Sequence, residues 1–528
     1  VTAPRQKTDP EARRLPRWAA AAVGIVAVAA ALAAGHLAAA LIDPFASPLL
    51  AVGNTAIDLT PHPVKDFAIR AFGENDKAVL LAGMAVVIAA AAVIAGLLSR
   101  RGPLPGMVLA AALGVLGIAA VLARPTLGPL AVIPPSASLL VGVAVFRWLH
   151  TRAPRLTAEP DAQVRPVDWP VPGLGRRRFL VTSTAAAAGA GAAAVAGTVI
   201  GGGADVAASR GAIRLRPGTP APPIPAGADF VGDGTPAFIT PNAEFYRVDT
   251  ALSVPRLPAR DWRLRVHGMV DRELVLTYDD LLSKPLVEKT ISLCCVSNEV
   301  GGPYISTADF IGVSLPDILA EAGIRPGADQ LATGSVDGWT CGTPVEDIMR
   351  PGSGALLAIG MNGEPLPIEH GFPVRMVVPG LYGYVSATKW LVDAELTTFA
   401  DFDAYWVKRD WARRAPIKTM SRVDRPRAFE QVPAGRFVAA GVAWAQRRGI
   451  DRVEVRLDGG PWRPATLSTE VNIDTWRMWR AEFDLAAGQH TLEVRATDRT
   501  GHTQTSDRAE PIPDGASGWH TIAFTARK

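Results

Sequence analysis

The residues best suited to chemistry lie in the run Ile291-Ser292-Leu293-Cys294-Cys295-Val296-Ser297-Asn298-Glu299-Val300-Gly301-Gly302. A strand-like apolar run ends there in cysteine and is followed by small polar residues and glycines. Such a turn can present one sulfur to a buried metal while letting backbone approach closely. The chain has three cysteines, Cys294, Cys295 and Cys341, which excludes a disulfide scaffold as the organising principle. Cys294 and Cys295 are adjacent and lack the CxxC spacing of zinc or redox motifs. A soft thiolate suits molybdenum, copper or iron–sulfur sites, but one thiolate cannot hold a cluster. It can complete the coordination of a metal already chelated by an organic ligand.

Around that run, residues 241–400 alternate short β-rich stretches with a few helical ones. Residues 262–268 alternate as a strand, 278–282 suggest a short helix, 315–322 have helical apolar spacing and stop at Gly323, and 373–379 read as a strand between turns. The pattern is mixed α+β, with no dinucleotide GxGxxG and no Walker loop. From about residue 425 the character is all-β. Val453, Val455 and Leu457 alternate with polar residues before a turn at Asp458-Gly459-Gly460, and Leu492 and Val494 repeat the habit. Short strands between Gly, Pro and Asp turns suggest an immunoglobulin-like sandwich, without the Cys…Trp…Cys pattern of antibody domains.

The segment Cys295-Val296-Ser297-Asn298 resembles the metal-binding turn of the sulfite oxidase superfamily of molybdopterin enzymes, in which a cysteine precedes two small residues and an asparagine. Cys294 falls outside that frame and reads as a small buried residue. Further motifs of the family follow in order. Asn242, Phe245 and Tyr246 resemble its early cofactor segment, and Asp337-Gly338-Trp339-Thr340 its Asp-Gly-aromatic-Thr turn. His370-Gly371-Phe372-Pro373-Val374-Arg375, then Gly383, Ser386 and Lys389-Trp390, resemble its pterin-binding stretch.

The resemblance spans roughly residues 235–528. It implies a molybdenum–molybdopterin cofactor with Cys295 as metal ligand. It further implies Asn242, Phe245, Tyr246, Asn298, Thr340, His370, Arg375, Ser386 and Lys389 as cofactor contacts, and a C-terminal domain of the family's dimerisation type, hence a homodimer. Arg375 can grip a phosphate as a fork and Lys389 as a point charge. The implied reaction is oxygen-atom transfer to or from a small molecule, with Tyr304 as a candidate pocket residue.

One departure stands out. Sulfite-oxidising relatives carry arginine after the asparagine, whereas here Glu299 follows Asn298. A carboxylate there disfavours an anion, so a neutral S-oxide or N-oxide is expected over sulfite, with a sulfite-oxidising dehydrogenase as the alternative. No cytochrome domain, CxxCH site or flavin fingerprint is read in the chain, so a separate carrier, quinone or haem protein, is expected to exchange electrons. Two further alternatives are a non-catalytic, membrane-tethered immunoglobulin-like envelope binding protein and a transporter-like membrane protein. The firm apolar runs lack the charges of an ion pathway, which weighs against the transporter.

The first 205 residues hold most of the apolarity behind a mean hydropathy of +0.18. Uncharged runs at about 18–42, 78–99, 104–123 and 125–146 each approach the ~20 residues that cross a bilayer as helix. Pro134 and Pro135 are expected to kink or break the fourth. His36 falls inside the first run, while His62 and His150 fall outside the firm runs, so no haem-ligating pair is expected.

The net charge of +4 does not form a nucleic-acid stripe. Its arginines flank apolar runs, and the positive-inside rule puts the N-terminus, Arg100-Arg101 and 147–178 in the cytoplasm. Arg176-Arg177-Arg178-Phe179-Leu180 resembles a twin-arginine export signal, with a plain membrane anchor as the alternative. Either reading places the later domains outside a bacterial cytoplasmic membrane. The expected order is a four-helix membrane domain (1–150), cytoplasmic linker (151–178), fifth membrane segment (179–204), Pro/Gly-rich tether without regular elements (205–240), molybdopterin domain (241–420) and immunoglobulin-like domain (421–528).

Overall fold

Backbone in long Ala, Val, Leu and Gly runs satisfies its own hydrogen bonds most simply as helix. The computed structural model bears this out with α1 (Arg17–Ile42), α2 (Pro48–Leu59), α3 (Asp76–Leu98), α4 (Leu104–Leu122) and α5 (Ile133–Thr157). The structure describes residues 14–61, 76–124, 128–157 and 203–528, with isolated positions at 64, 71–72, 188 and 191. The twin arginines, most of the 151–178 linker and nearly all of the fifth apolar segment lie outside the described residues. The chain divides into two units, residues 1–204 with 251–254, and residues 205–250 with 255–528.

In the first unit, the segments Arg17–Ile42, Val79–Leu98, Leu104–Leu122 and Pro129–Ala153 are long and apolar enough to cross a membrane. Small residues let α1 and α3 approach closely. A Cβ on Gly24 would strike the carbonyl of Ala92, and one on Gly96 the carbonyl of Ala20. Ala19, Ala20, Val23, Ala27, Phe146 and Leu149 form the packed seam. At one end Ser99 Oγ accepts the Gly106 amide at 2.7 Å, and its carbonyl meets His150 Nε2 at 2.6 Å.

Two expectations are corrected here. Pro134 and Pro135 open α5 instead of breaking it, because first-turn amides need no helical partner. His150 belongs to this fourth apolar helix, which runs on past Arg147 and Arg152. The Arg152 guanidinium lies 4.5 Å from the Trp148 ring centroid, so the charge is accommodated without ending the helix.

The second unit opens at Asp205 within α6 (Gly203–Ala212), so the stretch expected to hold no regular element holds a helix. Asp205 in its first turn and Arg210 in its last suit the helix dipole, and Val206 is buried in the main core. The following chain is also packed. The amides of Gly218 and Thr219 donate to Leu286 O, and Phe238 is buried. Proline and glycine composition showed low helix propensity, but tertiary burial fixes this segment against a strand.

Two five-stranded sheets follow. One runs β2-β1-β10-β5-β6, with β1 (Arg263–Gly268) parallel to β10 (Leu391–Thr397) and with β2 (Leu274–Thr277), β5 (Gln330–Ser335) and β6 (Thr340–Pro344) antiparallel to their neighbours. The other runs β3-β4-β7-β8 with β9 on β7, from β3 (Val287–Cys294), β4 (Ile305–Ser314), β7 (Leu356–Met361), β8 (Glu364–Pro365) and β9 (Arg375–Val377). Local signals explain the short helices. Thr277 and Asp280 form a capping box for α7 (Tyr278–Ser283). Ser314 caps α8 (Leu315–Ala322), and Gly323, at φ +73°, ends it.

The C-terminal region is two sheets over one core. The first contains β11 (Met420–Arg425), β13 (Gly435–Trp444), β17 (Arg477–Leu485) and β16 (Thr466–Leu467). The second contains β12 (Gln431–Pro433), β19 (His520–Arg527), β18 (Gly488–Asp498), β14 (Ile450–Leu457) and β15 (Arg463–Pro464). Val423, Phe437 and Trp479 from the first meet Val455, Val494 and Phe524 from the second. Yet Val442, Trp444, Trp476 and Met478 join the main core of the preceding region. The free flank of β3 is bonded by the same C-terminal chain, Ser292 N to Asp474 O at 2.9 Å and Trp476 N to Ser292 Oγ at 2.8 Å.

Candidate active site

Strand β3 carries the cysteines to the lip of the second sheet. Cys294 is buried at 2 % exposure and Cys295 is half-buried at the start of the turn. The turn is closed by its own bonds. Asn298 N donates to Cys295 O (3.1 Å), Cys295 N to Tyr304 O (3.0 Å) and Gly302 N to Glu299 O (2.9 Å). The Asn298 Oδ1 accepts from Tyr304 N at 2.8 Å. Gly301 is required because its φ is +81° and a side chain would collide with the His520 ring.

The two thiols face different surroundings. Cys295 Sγ lies 2.9 Å from Ser297 Oγ, while Cys294 Sγ lies 3.9 Å from Asn298 Nδ2. Burial raises the Cys295 thiol, opposed by the Ser297 hydroxyl and by turn backbone groups, with no cation among them. Among the described residues no group of three or more His, Cys, Asp or Glu could hold a metal. A metal at Cys295 must therefore bring other ligands with it.

A cationic cluster gathers around the other limb of the site. Arg375 is 4 % exposed. Its Nη1 donates to His370 O at 3.1 Å, its Nε has no partner, and its guanidinium lies 5.7 Å from the Phe310 ring centroid. No carboxylate among the described residues pairs with it. Burial lowers its pKa to about 10. An uncompensated buried guanidinium is costly, so a polar anion is the natural occupant of the space beside it.

His370 Nε2 meets the Asn242 carbonyl at 3.2 Å, which requires the proton on Nε2. Burial, then the Arg375 and Lys389 charges, lower its pKa to about 4, so the ring is neutral at ordinary pH. Lys389 Nζ bonds Asp249 Oδ2 at 2.7 Å and Glu369 O at 3.1 Å. Burial, against the pull of Asp249, lowers its pKa to about 8.

Tyr246 links the two limbs. Its phenol is held well above the ordinary range by burial and by both cysteines, with Arg375 opposing. Its ring lies 6.2 Å from Tyr304, and a Cβ on Gly383 would stand 3.8 Å from its hydroxyl and 3.7 Å from Cys294 O. Phe245 forms a wall against Phe310 and His370.

The structure thus brings together Cys295, Tyr246, Tyr304, Phe245, His370, Arg375 and, through Asp249, Lys389. Four expected contacts are already engaged within the protein. Asn242 Nδ2 donates to Glu364 at 2.7 Å and its Oδ1 accepts from Asn362. Asn298 shapes the cysteine turn through its bond from Tyr304 N. Thr340 Oγ1 accepts the Tyr405 amide, and Ser386 Oγ donates to Leu381 O and Tyr382 O. Each of these side chains thus commits at least one polar atom to the fold, while the Thr340 hydroxyl, which accepts there, keeps its proton to donate.

Residues not singled out from sequence also converge here. Arg247 Nε donates to Asp249 at 2.9 Å, and Tyr382 is buried within the field of both cysteines. The Asp337 carboxyl of the Asp-Gly-aromatic-Thr turn, expected from sequence, is raised by burial, with the Ser335 hydroxyl and the Trp339 amide opposing. Arg247 follows Tyr246 directly, and that adjacency was the available signal. Glu299 projects from an exposed position on the turn.

These residues fit a phosphate-bearing organic chelate, with a sulfur on one limb and an unpaired buried cation on the other. Residues 251–406 match the family described as "Oxidoreductase molybdopterin binding domain". The mitochondrial sulfite oxidase of Macaca fascicularis is 32 % identical over 342 residues, covering 54 % of this chain and 62 % of that protein. The sulfite oxidase of Gallus gallus is 31 % identical over 323 residues, covering 52 % of this chain and 70 % of that one. Among solved structures, the sulfane dehydrogenase SoxCD of Paracoccus pantotrophus aligns at 25 % identity and a TM-score of 0.49, over 56 % of this chain and 84 % of that one. The matched part therefore spans under two thirds of the length of the mammalian relatives.

Proposed function

The chain belongs to the sulfite oxidase family of molybdopterin-binding oxidoreductases, and from that premise we propose that it transfers an oxygen atom to or from a small neutral S-oxide or N-oxide, with Cys295 as the protein's ligand to the metal. It is a molybdenum-dependent oxidoreductase, and its cofactor is the molybdenum–pterin. The observation that carries the proposal is Arg375, buried without a carboxylate beside Tyr246, which shares the electrostatic field of the Cys295 sulfur.

When bound, the cofactor supplies two-electron oxygen-atom exchange. The chain supplies the rest. Cys295 donates sulfur, and its turn fixes the direction of that sulfur. Arg375, Arg247 and Lys389 provide positive charge for a phosphate, with Asp249 holding the latter two in place. Neutral His370 presents a ring whose proton is already committed to Asn242 O, so it orients rather than titrates. In the reductive direction the substrate X=O takes two electrons and two protons and leaves as X plus water.

A neutral substrate is supported by the charge around the sulfur. The Arg422 guanidinium behind the cysteine turn is paired with Asp424, and the residue after Asn298 is the carboxylate Glu299. Sulfite oxidation is the second reading, favoured by the names of the relatives. The four apolar helices support anchoring in a lipid bilayer, and the twin-arginine-like run with the apolar segment after it supports catalytic and C-terminal regions on the extracytoplasmic side of a bacterial cytoplasmic membrane. The paired sheets over one core support an immunoglobulin-like C-terminal domain. Electrons would pass to or from quinone or a haem protein, and the assembly would be a homodimer.

The test is a reduced-dye assay of purified protein against S-oxides, N-oxides and, in the oxidative direction, sulfite. Cys295→Ser is expected to abolish turnover and to remove one sulfur from the metal's coordination shell in X-ray absorption, and Cys294→Ser to leave both unchanged. Turnover of sulfite in preference to every oxide would overturn the substrate assignment. An unchanged sulfur count at the metal in Cys295→Ser would overturn the ligand.

A further inference from the structure

The turn bearing Cys295 is held from outside the region that matches the family model. Arg422 on β11 extends its Nη1 to Gly302 O at 2.9 Å and its Nε to Asp424 Oδ1 at 2.7 Å. Its side chain is 11 % exposed and that of Asp424 is 16 % exposed. The Trp479 indole donates to the Arg422 carbonyl at 3.2 Å, fixing the strand from which the guanidinium reaches. Beside it, the His520 ring lies over Gly301, and its Nδ1 accepts the Val423 amide at 2.9 Å. The ring's position is thereby set from β11 as well, one residue from Arg422.

We propose that Arg422 is a positioning residue for the Cys295 sulfur, and that the C-terminal β-rich region is in this way a necessary part of the catalytic centre. The proposal rests on the reading of Cys295 as metal ligand. The transmission is a short relay. Arg422 fixes Gly302 O, Gly302 N is bonded to Glu299 O, and Asn298, between Glu299 and the cysteine, bonds Cys295 O with its amide and Tyr304 N with its side chain. Tyr304 O in turn receives the Cys295 amide. A charged donor to a carbonyl is stronger than a neutral one and is directional when its fork is shared with a carboxylate. The His520 ring fills the space beside Gly301 that a side chain would need, so the far limb of the turn meets two side chains of the same sandwich. Loss of the Arg422 bond would let the turn move as a unit and displace the sulfur without unfolding β3.

The experiment uses the full chain, with and without cofactor. In cofactor-free protein, Arg422→Met is expected to speed amide exchange at Asn298, Gly302 and Tyr304 about tenfold, the equivalent of one charge-assisted bond, while β13 amides are unchanged. In loaded protein, molybdenum content is retained, the Mo(V) paramagnetic resonance spectrum shifts, and kcat falls about tenfold with KM nearly unchanged, as expected for a misplaced reacting group. Arg422→Lys restores most of kcat. If Arg422→Met does not fold, Asp424→Asn provides the test, because it removes the carboxylate that fixes the Arg422 fork and should loosen the same three amides. Unchanged exchange in the turn, or equal acceleration throughout the sandwich, overturns the proposal. The exchange readout needs neither substrate nor metal, so it fails separately from the oxide assignment. Failure of the ligand reading would show instead as an unchanged sulfur count at the metal in Cys295→Ser.

Discussion

Replacing Arg375 by methionine should have opposite effects in the cofactor-free and cofactor-loaded protein. The guanidinium is buried, its Nε has no partner, and the bond it donates goes to the His370 carbonyl. Burial pulls its pKa down to about 10. That displacement from the ordinary arginine value corresponds to about 3 kcal/mol of destabilisation of the empty fold. The sign is fixed by linkage. A base with a lowered folded pKa opposes folding at every pH below that pKa, and the opposition fades as pH rises through about 10. Methionine of similar length removes this opposition and forfeits one hydrogen bond worth about 1 kcal/mol. The cofactor-free variant should thus be more stable by about 2 kcal/mol, an upward Tm shift of several degrees. In cells, the same variant should retain less than a tenth of the molybdenum, because a buried ionic pair broken from one side costs about 3–5 kcal/mol. Urea denaturation of cofactor-free protein and metal analysis of loaded protein measure the two halves. Destabilisation of the cofactor-free variant by several kcal/mol would refute the reasoning, since it would mean that Arg375 is already compensated inside the protein.

The remaining expectations concern pH and helix packing. His370 and His520 both have pKa values lowered to about 4 by burial and by neighbouring arginine, so the folded state binds fewer protons than the unfolded one between about 4 and 6.5. Stability is full above about pH 6.5 and is lost as pH falls toward 4, by up to about 3 kcal/mol per ring. Urea curves at pH 7, 5.5 and 4.5 test this, and a His370→Gln variant should flatten the dependence. In the helical unit, Gly24→Leu or Gly96→Leu would drive a side chain into a neighbouring carbonyl, whereas Gly83 has open space around it. Thermal unfolding in detergent should show either leucine variant strongly destabilised, by roughly 3 kcal/mol or more, with Gly83→Ala at or above the parent.

Much of the local structure was legible because its causes are local. The short helix at 278–282, the stop at Gly323 and the alternation of Val453, Val455 and Leu457 each lie within a few residues of what determines them. The error at Pro134 and Pro135 was also local, since the same prolines that break a helix interior are tolerated in its first turn. The error at 205–240 was of another kind. Nothing in its Pro/Gly-rich composition shows that Leu286 offers a carbonyl to Gly218, or that Phe238 has a core to enter.

Sequence by itself determined the apolar helices, the order of the regions and the turn that begins at Cys295, because hydropathy runs and contiguous motifs act over one element at a time. It also named Arg375 and Lys389 through resemblance. Only the tertiary structure decided their electrostatic states, leaving Arg375 without a carboxylate and giving Lys389 one in Asp249, 140 positions away. It decided too that Asn242 and Ser386 are engaged inside the protein, and that Arg422 braces a carbonyl 120 positions distant. The strength of a charge or hydrogen bond depends on which groups lose water together, and that is a property of the packed fold rather than of any window along the chain.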